Sequence, residues 1–188
     1  MSHIDFLSLS WRKLHDDVFS LSQKVKKSQL EFDRIVAISR GGLVTARMLS
    51  DFLQIKISTF TMVAYQKITQ LGHPEIMEGL KANIMGEKVL LVDEIADSGQ
   101  SFKLGVEYLE SLSPAQITTL APYIKSQTEF EPDFWEVQTD RWIIFPYEVR
   151  ETIQDIAQLM KQQGKTLEQV RTKLQNLGFN QEQLAVFL

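Results

Sequence analysis

The sequence contains no cysteine among its 188 residues, which excludes disulfide bonds and thiolate metal sites. It has no uninterrupted apolar run of about 18 residues, so we expect no membrane-spanning helix. Its formal net charge of −4 is not the basic balance that broad nucleic-acid binding requires. The N-terminus shows no basic region followed by an apolar run, so we expect no secretory signal and a cytoplasmic protein. The three histidines, His3, His15 and His73, share no ligand spacing, which argues against a histidine zinc site.

Helical and strand patterns alternate from about residue 10 to residue 146, in a chain that is 44% hydrophobic. Strands are predicted over 34–39, 57–65, 88–93, 116–124 and 141–148. Helices are predicted over 41–53 and 101–112, and a first amphipathic helix by the helical spacing of Leu7, Trp11, Leu14, Val18, Leu21 and Val25. Strands separated by helices of this length predict βαβ crossovers, hence an α/β fold with a doubly wound, mostly parallel, five-stranded sheet.

Two segments fall outside this alternation and set the predicted domain organisation. Residues 66–87 are long for a connection between two strands, so we predict a mobile functional loop that carries a short helix. Residues 149–188 contain only helical patterns, interrupted at Gly164 and Gly178. The chain is therefore divided into a domain of residues 1–148 and a helical extension of residues 149–188.

An acidic stretch, "VLLVDEIADSGQS", follows the most apolar of the predicted strands. In a parallel sheet ligands bind beyond the carboxyl ends of the strands, where Asp93 and Glu94 would lie. The turn Asp97–Ser101 leads into a helix, whose first N–H groups and the hydroxyls of Ser98 and Ser101 suit a phosphate. Carboxylates beside a phosphate site suggest a phosphorylated sugar. The alternative is an ordinary strand followed by a capped helix.

The stretch also invites comparison with the magnesium-binding strand of P-loop nucleotide hydrolases. Those proteins need the run G-x-x-x-x-G-K-[ST] to hold the phosphates, and none of the nine glycines here begins one. We therefore exclude that class.

A second anion site is predicted at "SRGG", residues 39–42, between a strand and a helix. Arg40 offers a cationic fork, and Gly41 and Gly42 allow the backbone to approach an anion closely. A glycine turn carrying a surface arginine is the alternative.

These motifs resemble those of the type I phosphoribosyltransferase family. "VLLVDEIADSGQS" is similar to its phosphoribosyl-pyrophosphate-binding motif. "RIVAISRGGLVTARMLSDFLQI" is similar to the first strand, pyrophosphate loop and helix of the xanthine-guanine and hypoxanthine (6-oxopurine) enzymes, and "DRWIIFPYE" to their purine-binding segment. The resemblance covers most of residues 10–148 and implies the type I fold, with a hood over about residues 122–148.

The resemblance implies transfer of 5-phosphoribosyl from phosphoribosyl pyrophosphate to hypoxanthine, guanine or xanthine, with release of pyrophosphate, in purine salvage. It implies Mg²⁺ as cofactor and a homodimer or homotetramer, with no nucleic-acid or membrane partner. A phosphoribosyltransferase-fold regulator, which binds the sugar phosphate or a nucleotide with little turnover, is the alternative.

The family pattern also implies a role for each site residue. The pyrophosphate is bound by Ser39, Arg40, Gly41 and Gly42; the ribose by Asp93 and Glu94, which support the metal; the 5′-phosphate by Ser98, Gly99, Gln100 and Ser101. Asp97 exchanges a proton at N7 of the purine, and with Arg40 and Tyr65, at the start of a flexible hood, forms the catalytic set. Lys125 contacts the 6-oxygen, Trp142 stacks on the base and the Ile143 backbone meets its edge. A solvated Lys125 and a core-packing Trp142 are the alternatives.

The sequence departs from the family pattern at three places. The acid pair is Asp-Glu rather than Asp-Asp or Glu-Asp, and Gln100 replaces a common glycine and could narrow the phosphate turn. Residues 126–140 lack the usual Lys-Pro sequence; we expect them to form the hood, with Phe130, Phe134 or Trp135 as lid contacts.

Overall fold

A computed structural model describes residues 4–63 and 73–188 of the chain. The strands, in chain order, are β1 (Phe6–Ser8), β2 (Arg34–Ser39), β3 (Ile57–Val63), β4 (Glu75–Glu78), β5 (Lys88–Val92), β6 (Ile95–Ala96), β7 (Gln116–Ile124), β8 (Phe134–Gln138) and β9 (Trp142–Ile144). The helices are α1 (Trp11–Lys27), α2 (Gly42–Leu53), α3 (Gln100–Glu110), α4 (Val149–Gln162), α5 (Leu167–Asn176) and α6 (Gln181–Phe187).

The chain forms two compact units. Of the described residues, the larger contains 15–63 and 73–140, and the smaller contains 4–14 and 141–188.

The larger unit is built on a sheet with the strand order β4-β3-β2-β5-β7-β6, in which β8 also pairs with β7. Every pairing is parallel except that of β4 with β3. The middle residues of β2 and all but the first of β5 are buried in unbroken runs, as in parallel sheets covered on both faces. One face packs into a core cluster with the buried side of α3, Phe102, Gly105 and Leu109.

The smaller unit pairs β1 with β9 in parallel and packs three helices around its own core. That core contains Ile144, Ile153, Ile156, Val170, Leu174, Phe179 and Leu184. Helices α5 and α6 each begin with a complete capping box, at Thr166 with Gln169 and at Asn180 with Gln183. The helical breaks predicted at Gly164 and Gly178 are present, and both glycines adopt a positive φ.

The predicted fold class is confirmed, but the strands are distributed differently. Four of the five predicted strands lie in the central sheet, whereas the fifth, at 141–148, pairs with β1 in the smaller unit. The reason is that Leu7, which we counted in the first helical pattern, belongs to β1, and the helix begins at Trp11. Among the described residues, none of the helices has the length and apolarity needed to cross a bilayer.

The loop predicted over 66–87 is described from residue 73 onward. This part contains no helix; instead, residues 75–78 form the edge strand β4. Only Ile76 of that strand packs toward the core, so its sequence carries too little alternation to reveal a strand. The remainder of the loop lies outside the described residues, and its mobility stays a prediction.

Candidate active site

The two predicted anion-binding segments leave neighbouring strands at the same edge of the central sheet. Strands β2 and β5 are parallel and paired, with Ala37 opposite Val92. The segment 39–42 follows β2, and Asp93 and Glu94 follow β5. Residues separated by about 50 positions in sequence are thereby brought together.

Gly41 and Gly42 lie directly against the acid pair. A Cβ atom added at Gly41 would lie 2.5 Å from Glu94 Oε1 and 3.1 Å from Asp93 Oδ1. One added at Gly42 would overlap the carbonyl oxygen of Val92. Neither glycine has a positive φ, so close approach, rather than backbone conformation, requires glycine at both positions. The Ser39–Arg40 peptide bond is cis, and Arg40 is exposed.

Asp93 is a buried carboxylate, 8% exposed, that is held by backbone groups. Its Oδ1 accepts a hydrogen bond of 2.9 Å from the Glu94 N–H, and the Gly42 N–H also donates to the carboxylate. Burial raises the pKa of Asp93 to about 7, against the opposing effect of these two hydrogen bonds. Two backbone hydrogen bonds therefore hold the Asp93 carboxylate at a position where its charge is poorly solvated.

The turn Asp97–Ser101 leads into α3 through a glycine with a positive φ. Gly99 has a φ of +83° and immediately precedes α3, which begins at Gln100. The backbone N–H groups of the first turn of a helix, with the hydroxyls of Ser98 and Ser101 nearby in sequence, can bind an anion. The Gln100 side chain donates a hydrogen bond of 3.3 Å to the Glu129 carboxylate.

Asp97 and Lys125 leave the ends of two further paired strands. Ala96 of β6 lies opposite Ile124 of β7, and the Lys125 N–H donates to the Ala96 carbonyl at 3.0 Å. Lys125 is 4% exposed, so the prediction of a solvated lysine is wrong. Its burial lowers the pKa of its ammonium group, while the nearby carboxylates of Asp97 and Asp140 act in the opposite direction.

Two of the predicted base contacts belong to the smaller unit. Trp142 and Ile143 lie in β9 of the smaller unit, opposite Phe6 and Leu7 of β1. Trp142 packs against the core cluster of that unit, which agrees with its core-packing alternative and leaves a role toward a base as a prediction. Tyr65 lies outside the described residues.

The predicted lid contacts are structural instead. Phe130 stacks on Phe102 with ring centroids 5.5 Å apart, and with Trp135 it packs against the core cluster of the larger unit. Phe134 and Trp135 lie in β8, which is paired with β7 in the central sheet. Phe134 and Trp135 therefore belong to a partly buried strand that we did not predict.

Sequence reasoning missed the contacts that residues 127–130 make with the predicted phosphate turn. Gln127 Nε2 donates to Asp97 Oδ1 at 3.3 Å, and the Glu129 N–H donates to the Ser98 carbonyl at 3.1 Å. Such contacts join positions about 30 residues apart through irregular loops, so no motif or periodicity could have revealed them.

The donor set at the acid pair fits a magnesium ion shared with a ligand. The described residues contain no cluster of three or more metal-ligating side chains. Mg²⁺ needs no such cluster, because it is commonly held by one or two carboxylates together with substrate phosphates. Asp93 and Glu94 supply those carboxylates, and both lie in close contact with Gly41.

Comparison with known proteins identifies the family. The model of the phosphoribosyl transferase domain matches residues 9–154. The xanthine-guanine phosphoribosyltransferase of Desulfotalea psychrophila is 30% identical over 142 residues, which are 74% of this chain and 84% of that protein. The chain belongs to the phosphoribosyltransferase family, and the predicted enzyme class is confirmed.

Solved structures agree with this assignment. A purine phosphoribosyltransferase from Pyrococcus horikoshii has a TM-score of 0.68 and 26% identity, with 77% of this chain and 95% of that chain covered. The xanthine-guanine-hypoxanthine phosphoribosyltransferase of Helicobacter pylori has a TM-score of 0.67 and 22% identity, covering 78% and 96%, and supports the fold alone. The type I fold expected from the sequence is therefore confirmed.

Proposed function

We propose that this protein transfers the phosphoribosyl group of phosphoribosyl pyrophosphate to a 6-oxopurine: hypoxanthine, guanine or xanthine. The observation that carries the proposal is the convergence of the segment 39–42 on Asp93 and Glu94 at one edge of the sheet. The pyrophosphate and the ribose belong to one substrate. The turn that binds pyrophosphate and the carboxylates that bind the ribose hydroxyls must therefore lie side by side. The names of the relatives agree with a purine as acceptor.

In the proposed reaction a ring nitrogen of the purine attacks C1′, the new C–N bond forms, and the C1′–oxygen bond to pyrophosphate breaks. Pyrophosphate leaves with the bonding electrons. Arg40 and the N–H groups of segment 39–42 stabilise its charge, while Asp93 and Glu94 orient the ribose hydroxyls. Asp97 takes the proton that the purine loses at N7.

Lys125 provides the argument for a 6-oxopurine. Its buried ammonium group lies beside Asp97, at the end of the neighbouring strand. An ammonium group can donate a hydrogen bond to a 6-oxo group but has no acceptor to offer a 6-amino group. Trp142 and Ile143 remain predicted contacts of the base.

Asp93 and Glu94 would hold Mg²⁺ together with the substrate. When bound, the ion would neutralise part of the charge on pyrophosphate. The protein's own contribution is to hold the Asp93 carboxylate in place through the Glu94 and Gly42 N–H groups.

The proposal is tested by incubating the protein with phosphoribosyl pyrophosphate, Mg²⁺ and a panel of purines and pyrimidines, with pyrophosphate release as the readout. We expect release with one or more 6-oxopurines and none with adenine or uracil. Binding of phosphoribosyl pyrophosphate without release for any base would contradict the proposal and favour the regulator.

A matched pair of variants assigns the chemistry within this assay. Asp97→Asn keeps the shape of the side chain but cannot accept the proton, and we expect turnover to fall by ~10²–10⁴-fold. Asp140→Asn removes the other carboxylate near Lys125 and should leave turnover within a few-fold of wild type. Equal effects of the two substitutions would remove Asp97 from the proton transfer.

A further inference from the structure

Residues 127–130, here called the strap, lie on the turn that we propose for the 5′-phosphate. The Glu129 N–H donates to the Ser98 carbonyl at 3.1 Å. A Cβ added at Gly99 would lie 2.6 Å from Phe130 Cβ and 2.7 Å from Phe130 N. Phe130 in turn stacks on Phe102 of α3. The strap is therefore fixed to the turn by backbone contact at one point and by the partly buried ring of Phe130 at another.

This anchoring places the carboxylate of Glu129 at the first turn of α3. Its Oε2 accepts from Lys103 Nζ at 2.7 Å and from Gln100 Nε2 at 3.3 Å. Pairing with Lys103 lowers the pKa of Glu129, so the carboxylate is ionised at neutral pH. The N-terminal end of a helix attracts negative charge, and here a side chain of the same protein already supplies it.

A phosphate bound by this turn would meet the same cationic and amide groups. Lys103 lies three residues after Gln100, so both side chains project from the start of α3, and both donate to Glu129. Glu129 engages both, and its negative charge would repel the phosphate directly. Binding of a phosphate therefore competes with Glu129 for Lys103 and Gln100.

We infer that Glu129 is an internal competitor of the 5′-phosphate, which weakens the binding of phosphorylated ligands at this turn, and that Lys103 passes from Glu129 to the phosphate when such a ligand binds. This inference rests on the proposed function for the identity of the ligand. The same competition would act on the nucleotide product, since it carries the same 5′-phosphate, and would favour its release.

The first test measures phosphate affinity by calorimetric titration with ribose 5-phosphate, in the full-length protein. Glu129→Gln should bind ribose 5-phosphate roughly 2–5-fold more tightly than wild type, the range of a single charge near a helix terminus at low ionic strength. The gain should shrink at about 0.5 M salt, because both groups are exposed and their attraction is screened. The KM for phosphoribosyl pyrophosphate should fall by a similar factor while kcat changes less.

Glu110→Gln is the matched control, because it makes the same change of charge at the opposite end of α3. We expect it to bind ribose 5-phosphate as wild type does. The inference is overturned if Glu129→Gln binds no more tightly than wild type, or if Glu110→Gln gives the same gain. Absence of binding by both wild type and Glu129→Gln would also overturn it.

A double-mutant cycle tests the role of Lys103. Lys103→Gln should weaken binding, and Glu129→Gln should gain less in the Lys103→Gln background than in wild type. An equal gain in both backgrounds would show that Glu129 does not act through Lys103. Titration with ribose 5-phosphate involves no purine and no transfer. If the protein released no pyrophosphate, the proposed function would be overturned, but these titrations would still decide the inference.

Discussion

Carboxylates at the two ends of the central sheet lie in opposite environments. At the end where β2 and β5 begin, Glu87 accepts hydrogen bonds from Arg34 Nε at 2.6 Å and from Arg34 Nη2 at 2.8 Å, and pairs with Lys56 at 3.2 Å. At the end where these strands finish, Asp93 is buried and receives backbone N–H groups from Glu94 and Gly42.

The pKa shifts at the two ends have opposite signs. The hydrogen bond with Arg34 lowers the pKa of Glu87 to about 2, whereas burial raises the pKa of Asp93 to about 7. A carboxylate paired with a guanidinium within the protein stabilises the fold. A carboxylate whose pKa is raised by burial lowers the stability of the folded protein at neutral pH. Such a group is consistent with a site that receives a cation and a substrate.

The largest expected effect is that of Asp93→Asn. The amide keeps the shape, and its oxygen can still accept a backbone hydrogen bond, but it has no charge with which to support a metal or orient ribose hydroxyls. We expect turnover to fall by ~10²–10³-fold, the usual effect of removing one electrostatic contact in a site. Stability in urea, without ligand, should be unchanged or higher. A clear loss of stability would show that Asp93 supports the fold as Glu87 does.

Gly41→Ala should have the next largest effect on turnover. The added methyl would lie 2.5 Å from Glu94 Oε1, so that carboxylate must move. A misplacement of about 1 Å in a positioned group can reduce the rate by ~10²-fold. Because the contact is with the end of a side chain, the urea midpoint should change little. Wild-type turnover would show that the position of Glu94 does not matter for transfer.

The parts that sequence reasoning predicted are those encoded in adjacent residues. The buried strands β2, β5 and β7 are recognisable in the sequence as apolar runs. The order of residues in the acidic motif places Asp93, Asp97 and the predicted phosphate turn at the ends of strands and at the start of a helix. Local patterns of this kind depend on period and turn chemistry alone.

What the sequence does not reveal are contacts set by the three-dimensional path of the chain. The strand β9 was assigned to the central sheet because nothing local shows that its partner is β1, more than 130 residues earlier. Burial of Lys125 and the placement of Glu129 on Lys103 likewise depend on how loops fold back over the sheet. A lysine or glutamate carries no signal of such a position.

Stability should depend on pH through Glu87. Its pKa is about 2 in the folded protein and about 4.5 ordinarily, so its contribution is fully present above pH 4.5 and is lost as the pH falls toward 2. The shift corresponds to roughly 3 kcal/mol. Glu87→Gln should remove this contribution at pH 7 and flatten that part of the stability curve, with turnover retained. The measurement is urea unfolding between pH 2 and pH 7; an unchanged curve in the variant would contradict the assignment.

The smallest expected effect is that of Lys56→Gln, which sharpens the comparison at the same carboxylate. The Lys56 side chain is 57% exposed and contacts Glu87 at 3.2 Å, whereas that of Arg34 is 13% exposed and makes two hydrogen bonds to it. Solvent screening limits such an exposed pair to about 0–1 kcal/mol. Lys56→Gln should therefore lower the urea midpoint slightly at 50 mM salt, and the difference should vanish at about 0.5 M. A loss as large as that of Glu87→Gln would mean that Lys56, rather than Arg34, is the main partner of the carboxylate.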